Sequence, residues 1–126
     1  MHKAIYTPKG AKPLGPYSQG IVAQGKLVFL SGQGPVDPET GQLVLGEFRA
    51  QAVRTLDNIG TLLEAAGATW ADVVQVNVFI ADQANFATFN EVYAQYVQEP
   101  YPARSTIEAC LGQMGLEVAC IAVIKE

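Results

Sequence analysis

The segment EFRAQAVRTLDNIGTLLEAAG at residues 47–67, followed by VVQVNVFI at residues 73–80, decides the fold. In the first segment apolar residues recur every three or four positions, which predicts a helix over residues 47–66 with one buried face. Gly67 is typical of a helix end. The β-branched and aromatic residues at 73–80 predict a strand that this helix covers on one side. The apolar positions of the helix are Val53, Leu56, Ile59, Leu63 and Ala66.

Beyond this pair, the C-terminal part of the chain predicts a second helix and two further strands. Residues 82–97 return to a helical period, and Pro100 lies beyond their end. Residues 103–111 and 116–124 are apolar runs typical of strands, and residues 112–115 join them. The buried stripe of the second helix consists of Phe86, Phe89, Tyr93, Tyr96 and Val97.

Proline and glycine divide the N-terminal part. Residues 2–7 predict a short first strand, and the following PKGAKPLGPYSQG at 8–20 is a loop because its prolines exclude regular pairing. Residues 21–23 and 27–31 flank Gln24, Gly25 and Lys26, a pattern that predicts a hairpin between two strands. The next segment, PVDPETGQLV at 35–44, is predicted to be a loop rich in turns.

The predicted order is therefore β, loop, ββ, α, β, α, ββ within one domain, residues 1–126, since a chain of 126 residues is too short for two ordinary cores. Two helices on one face of a mixed six-stranded sheet make an α+β fold. The other face is lined by apolar strand residues and lacks a cover within the chain. Further copies of the chain are the expected cover, and the low charged content of 16% agrees with this.

Charge and histidine content exclude several classes of function. The net charge of -4 and the scattered basic residues argue against a nucleic-acid surface, which needs clustered Lys and Arg. Lys3, Lys9 and Lys12 come closest to a cluster and are interpreted as solvated surface charges. The single histidine, His2, allows neither a zinc site nor a histidine-based catalytic triad within one copy. No metal is expected.

The hydropathy of the chain argues against a membrane span and a secretory signal. No run approaches the roughly 18 apolar residues of a membrane span, and the first seven residues lack a signal-peptide core. The expected location is the cytoplasm. Cys110 and Cys120 lie in apolar runs without metal-ligand spacing, which predicts that both are buried core thiols.

Three features are candidates for a functional site. Arg104 leads into a strand whose only other charged side chain is Glu108, and a buried arginine needs an anionic partner. That partner is either a structural carboxylate, from Glu108 or Glu117, or a ligand. Glu117 itself is either a solvated carboxylate at a strand start or a carboxylate that orients a water or exchanges a proton. Ser31 and Gly32 end a strand where a ligand can approach the backbone closely, although the pair alone is only a turn.

Several motifs resemble the RidA (YjgF-type) family, and the resemblance covers nearly the whole chain in order. The combination of YPARS, GPYSQ and SGQ is specific to that family. The matching stretches are GPYSQG at 15–20, LVFLSGQGPVDPETG at 27–41, LLEAAGATWADVV at 62–74, FATFNEVYAQY at 86–96, YPARST at 101–106 and LEVACIAV at 116–123.

The resemblance implies a chorismate-mutase-like, ferredoxin-like α+β fold that assembles as a homotrimeric barrel, with ligand clefts between subunits. It implies an enamine/imine deaminase that hydrolyses 2-aminoacrylate and related 2-imino acids to 2-keto acids and ammonia without a cofactor. It also implies that Arg104 grips the substrate carboxylate, Glu117 places the attacking water and Tyr17 closes the cleft. The implied substrate-binding residues are Ser31, Gly32, Asn90 and Thr106.

The sequence departs from the family pattern at two places. Thr106 stands where many relatives carry cysteine, and the turn at residues 111–115 is shorter than the usual one, which puts substrate range in question more than reaction type. Two other functions remain open: a non-catalytic trimer that binds small carboxylates in the same clefts, and a ribonuclease or translation inhibitor. An acidic chain without a basic stripe disfavours the second of these.

Overall fold

The computed structural model describes residues 2–125, so Met1 and Glu126, the outermost residues of the predicted domain, lie outside it. The described residues form six strands and two α-helices, in the predicted order. The strands are β1 (His2–Ile5), β2 (Gly20–Ala23), β3 (Lys26–Gln33), β4 (Val73–Ile80), β5 (Ala103–Glu108) and β6 (Leu116–Ile124). The helices are α1 (Phe48–Ala65) and α2 (Phe86–Tyr93). Short 3-10 turns directly precede β4 (Trp70–Asp72) and α2 (Gln83–Asn85).

The predicted α+β class is confirmed, and the six strands divide by hydrogen bonding into two sheets. Strands β3, β6, β4 and β5 form a mixed sheet in that order. Within it β6 is antiparallel to both β3 and β4, whereas β4 and β5 are parallel. Strands β1 and β2 form a separate antiparallel pair. This is a finer division than the single six-stranded sheet expected from the sequence.

Both helices pack on one face of the four-stranded sheet and enclose the core. Leu56, Ile59 and Leu63 of α1 are fully buried, as predicted, whereas Val53 is 38% exposed and lies on the solvent side. Gly67 ends α1 with a positive φ of 80°, a conformation that glycine adopts without strain. Helix α2 is shorter than predicted, because residues 83–85 form a 3-10 turn and the helix ends at Tyr93.

The predicted hairpin around Gly25 is wrong. Strand β2 pairs with β1, and β3 pairs with β6, starting from the partners Lys26 and Ile124. Gly25 has a φ of 144° and lies so close to the backbone of β6 that a Cβ atom there would be 2.4 Å from the carbonyl oxygen of Ile124. The glycine therefore makes a corner over the end of β6, and the chain does not fold back on β2.

The sheet face opposite the helices is open, as the sequence predicted. We call it the open face and define it by Leu27, Phe29 and Ile107, whose exposed fractions are 59%, 68% and 53%. Side chains of a strand alternate between faces, so the same strands that build the core present these residues outward. A large exposed apolar surface of this kind is typical of a contact between proteins.

The two cysteines differ in environment. Cys120 is buried in the core as predicted, but Cys110 is exposed and the prediction for it is wrong. Strand β5 ends at Glu108, so Cys110 follows the strand and receives no cover from the helices. Among residues 2–125, no helix has the length and apolar character needed to cross a membrane.

Candidate active site

Arg104 lies on β5, the edge strand, and its side chain is directed to the helix-covered face of the sheet. Its β4 partner is Val76, which in turn pairs with Cys120 of β6, and both are buried against the helices. Four aromatic rings surround the guanidinium carbon. The distances from this carbon to the ring centroids are 5.3 Å for Tyr17, 5.7 Å for Phe86, 5.6 Å for Phe89 and 5.2 Å for Tyr93. We call this group the aromatic cage.

The guanidinium of Arg104 has no acidic partner within residues 2–125. The arginine–carboxylate pair found there is Arg49 with Glu91, at 2.5 Å on the surface. Glu108 accepts a hydrogen bond from the backbone of Gln83, and Glu117 is directed to the other face of the sheet. The structural ion pair that the sequence left open is therefore not formed by either carboxylate.

Burial makes the unpaired charge of Arg104 costly. Desolvation lowers the pKa of its guanidinium, and the neighbouring Tyr93 and Tyr17 partly oppose this effect. Arginine nevertheless stays protonated in proteins. Its Nη1 atom is buried and makes no hydrogen bond within the described residues. A buried cation with unused donors is suited to bind a carboxylate, which a planar guanidinium can hold by two parallel hydrogen bonds.

A cleft of about 540 Å³ opens beside Arg104. One wall is strand β5 from Ala103 to Ser105, and the other is the proline-rich loop that carries Lys12 and Tyr17. The volume is in the range of small-molecule sites. The cleft therefore gives a small organic acid a route to the guanidinium.

Polar side chains of the loop hold Tyr17 in place. Gln19 binds the backbone of Thr7 twice, by its Oε1 and Nε2 atoms, and also donates to the carbonyl oxygen of Ala11 at 2.8 Å. The Ser18 hydroxyl donates to the carbonyl oxygen of Tyr101 at 2.6 Å. Tyr17 itself accepts a hydrogen bond from the amide of Leu14 at 3.0 Å. Ser18 and Gln19 were not predicted as site residues, although both belong to the GPYSQG motif.

Asn90 and Thr106 lie on the two elements that flank Arg104. Thr106 is two residues beyond Arg104 on β5 and therefore shares its face, and Asn90 lies on α2 near Gly15 of the loop. The Asn90 Oδ1 and Thr106 Oγ1 atoms are buried without a hydrogen-bond partner in the described residues, and so is the Tyr93 hydroxyl. Burial raises the pKa of Tyr93, with Arg104 opposing this. Three predicted residues, Arg104, Asn90 and Thr106, thus each bury a polar atom that makes no hydrogen bond within residues 2–125.

Glu117 belongs to a second group of candidate site residues, which lies on the open face. It pairs with Phe79 of β4, whose other neighbour is Ile107. Glu117 also lies directly against Gly32, where a Cβ atom would be 2.2 Å from its Oε2 atom. Ser31 and Gly32 lie where the pairing of β3 and β6 is irregular. Only glycine at position 32 leaves room for the carboxylate.

A metal site is not evident in the described part of the chain. Among residues 2–125, no three His, Cys, Asp or Glu side chains come together in the way a metal ion requires.

Comparison with known proteins identifies the family. The family model described as Endoribonuclease L-PSP matches residues 7–124, and a chloroplastic protein of Arabidopsis thaliana named Reactive Intermediate Deaminase A is 41% identical over 97% of this chain and 66% of its own length. The chain belongs to this RidA (L-PSP) family. A Bos taurus relative named 2-iminobutanoate/2-iminopropanoate deaminase is 41% identical, with 98% of this chain and 90% of that protein covered.

Solved structures of similar proteins share the fold. RidA from Psychrobacter sp. PAMC 21119 has a TM-score of 0.74 and 40% identity, covering 97% of this chain and 99% of that one. TdcF of E. coli, solved with bound serine, has a TM-score of 0.73 and 38% identity, covering 98% and 99%. The family resemblance inferred from the sequence motifs is therefore confirmed.

In this RidA-family chain the predicted site residues form two groups. Arg104 shares the helix-covered face with Val76, whereas Glu117 shares the open face with Phe79. Within one copy these two side chains are therefore directed to opposite sides of the sheet. The sequence could not reveal the aromatic cage, because Phe86, Phe89 and Tyr93 follow the same periodicity as ordinary core residues of a helix.

Proposed function

We propose that this RidA-family protein is a cofactor-independent deaminase, which hydrolyses 2-aminoacrylate and related 2-imino acids to 2-keto acids and ammonia. The observation that supports this most strongly is the guanidinium of Arg104, which is surrounded by aromatic rings and has no acidic partner within residues 2–125. The relatives named as imine deaminases supply the reaction. The serine bound to TdcF, which has a carboxylate and a nitrogen on the same carbon, supports the substrate class.

Arg104 binds the substrate carboxylate through the donors that face the cleft. Tyr17 forms the wall beside it and closes the cleft over the ligand. Asn90 and Thr106 complete the polar surroundings of the guanidinium, and the backbone of Ser31 and Gly32 contacts the ligand from the other side. This division of roles fits a reaction in which most of the rate enhancement comes from positioning an already electrophilic carbon.

Glu117 orients the attacking water and accepts its proton. 2-Aminoacrylate first tautomerises to the imine, by gaining a proton on C3 and losing one from nitrogen. Water then adds to C2 of the protonated imine, and the resulting carbinolamine holds the former water oxygen on C2. Transfer of a proton to the nitrogen then allows the carbon–nitrogen bond to break, with ammonia leaving and the oxygen becoming the keto group. A carboxylate within reach of the water is suited to this exchange of protons.

The site is completed between copies. We propose a homotrimer in which the open faces, with Phe29 and Ile107, are turned inward and the helices outward. Such packing buries the exposed apolar surface and allows Glu117 of one copy to approach the cleft beside Arg104 of the next. The observation that supports this trimer is that Arg104 and Glu117 are directed to opposite faces of the sheet within one copy.

The test is a coupled assay in which a threonine or serine dehydratase generates the imine. Wild-type protein is expected to accelerate keto-acid release, and Arg104→Lys to lower kcat/KM by about hundredfold, because an ammonium cannot replace two parallel hydrogen bonds. The matched control is Arg49→Lys, which changes an arginine paired with Glu91 on the surface and leaves the rate unchanged.

Two results would contradict the proposal. If the wild-type protein fails to accelerate keto-acid release at any concentration, the protein is not a deaminase for these imines; thermal stabilisation by pyruvate without turnover then indicates a carboxylate-binding trimer. If Arg104→Lys is as active as Arg49→Lys, the carboxylate is held elsewhere.

A further inference from the structure

Helix α1 buries a row of polar side chains within its otherwise apolar face. Gln51, Thr55 and Asn58 stand at positions i, i+4 and i+7, and each is less than one-tenth exposed. Their neighbours on the helix, Ala52 and Leu56 among them, are fully buried core residues. Burying an amide is costly unless it is hydrogen-bonded, so the partners of Gln51 and Asn58 indicate what these residues stabilise.

Gln51 holds the start of β6. Its Oε1 atom accepts a hydrogen bond from the backbone amide of Gly115 at 2.8 Å, and its Nε2 atom donates to the carbonyl oxygen of Gly46 at 3.0 Å. The carbonyl oxygen of Gly115 accepts a bond from the amide of Ala81 at 2.9 Å. Both polar groups of Gly115 are therefore fixed, two residues before Glu117.

Asn58 holds the backbone that follows Gly32. Its Nδ2 atom donates to the carbonyl oxygens of Val36 at 2.7 Å and Gly34 at 3.3 Å, and its Oδ1 atom accepts from Arg54 at 3.0 Å. Both the oxygen and the nitrogen of the Asn58 side-chain amide are thus hydrogen-bonded. The segment that leaves Gly32 is tied to α1 in the same way as the segment that leads to Glu117.

The two tied segments contact each other closely. A Cβ atom on Gly34 would be 2.4 Å from the sulfur of Met114, in the turn before β6, and one on Gly32 would be 2.2 Å from the Glu117 carboxylate. A shift of one segment is therefore expected to displace the other. We propose that Gln51 and Asn58 are positioning residues for the deaminase reaction, which set the place of the Glu117 carboxylate against the Gly32 backbone.

This inference rests on the proposed function of Glu117 and predicts a specific kinetic signature. Gln51→Met removes both hydrogen bonds with little change of volume and is expected to lower kcat by about tenfold to hundredfold, since small misplacements of a reacting group have effects of that size. The KM is expected to stay within about twofold, because Arg104, which holds the carboxylate, is directed to the other face of the sheet.

Thr55→Val is the matched control. Thr55 is buried on the same helix between the two amides, but its hydroxyl has no hydrogen-bond partner in the described residues. The exchange is equal in size and leaves the ties to Gly34, Val36 and Gly115 intact, so kcat is expected to be that of the wild type. A drop in kcat equal to that of Gln51→Met would overturn the proposal, because it would show a general response to changes in α1.

Two further variants separate positioning from folding. Gln51→Glu keeps an oxygen for the Gly115 amide and is expected to recover most of the kcat that Gln51→Met loses. Asn58→Asp keeps the acceptor for Arg54 but loses the donors to Gly34 and Val36, and is expected to lower kcat with KM unchanged; it replaces Gln51→Met if that variant does not fold. Wild-type kcat in both Gln51→Met and Asn58→Asp overturns the proposal.

Crystal structures of the wild type and Gln51→Met keep the inference testable without activity. We expect residues 112–117 to shift and the Glu117 carboxylate to leave Gly32 in the variant. If the wild type is inactive in the dehydratase assay, the proposed function fails, while this displacement still supports positioning by Gln51. An unchanged contact between Glu117 and Gly32 overturns the positioning role whatever the activity.

Discussion

The two faces of the four-stranded sheet are built from the same strands and have opposite surroundings. On β6, Leu116, Val118 and Ala122 are directed to the helices and fully buried, while the alternate residues from Glu117 to Ile121 are only partly covered. On the open face Phe29 and Ile107 are more than half exposed. In a single copy, therefore, only the helix-covered face of the sheet forms a buried core.

This difference separates folding from function. The helix-covered face contains the core that stabilises the chain, and Arg104 with its aromatic cage lies at its edge. The open face carries Glu117 and the exposed apolar residues. Stability of a single chain should depend on the first face, whereas assembly and catalysis should require the second as well.

The largest expected effect is that of a charge placed on the open face. Phe29→Glu should prevent the proposed trimer and lower the deaminase rate by about hundredfold or more, because a cleft without Glu117 of a neighbour lacks its proton acceptor. Sedimentation should show a 13.5 kDa monomer, and circular dichroism should show an intact fold. These measurements test whether the open face is the site of assembly.

Val53→Glu is the control for that substitution. Val53 is also an apolar residue that is partly exposed, but it lies on the solvent side of α1, so the variant should keep the mass and rate of the wild type. If Phe29→Glu also sediments and reacts as the wild type does, the open face is not the interface.

A cavity in the helix-covered face should affect stability instead. Leu56→Ala removes a fully buried side chain of α1 and should lower the free energy of unfolding by about 2–5 kcal/mol, with the kcat of the folded protein retained. Urea denaturation at one fixed protein concentration measures this, since the proposed assembly would make stability concentration-dependent. Leu62→Ala, a partly exposed leucine of the same helix, should stay within about 0.5 kcal/mol of the wild type.

The sequence predicts the fold where the signal is local and fails where a strand pairs with a distant part of the chain. Helix α1 and strand β4 were predicted to within one residue at each end, because an apolar period over 18 residues and a continuous apolar run are local signals. The pairing around Gly25 was not predictable locally. A turn sequence indicates that the chain changes direction, but it does not identify the partner of the next strand. The partner of β3 is β6, which comes from the other end of the chain.

The candidate site shows a similar limit. Arg104 is recognisable as a charge in an apolar strand, and the family motifs imply the roles of Tyr17, Glu117 and Asn90. The ties from Gln51 and Asn58 were not predicted, although polar residues at i, i+4 and i+7 on a buried face are a detectable signal. Their backbone partners depend on two loops that only the tertiary structure brings to α1.

The mildest test leaves the sequence unchanged and compares the two thiols, of which only Cys120 is buried on the helix-covered face. Burial raises the pKa of Cys120 to about 11 from an ordinary value of 9.0, whereas Cys110 is exposed. Because the thiolate is the reactive form, iodoacetamide at pH 8 should modify Cys110 rapidly and Cys120 at least about hundredfold more slowly. Mass spectrometry of the two peptides measures this, and urea should remove the difference.

The same shift predicts a dependence of stability on pH. The unfolded chain releases the Cys120 proton near pH 9, but the folded chain retains it until about pH 11, so the folded state binds more protons in this window. The free energy of unfolding should therefore fall as pH rises from 9 towards 11, and Cys120→Ala should reduce the slope while Cys110→Ala leaves it unchanged. Equal slopes in all three proteins would mean that Cys120 ionises as readily in the folded chain as in the unfolded one, and that the helix-covered face is open to water at that point.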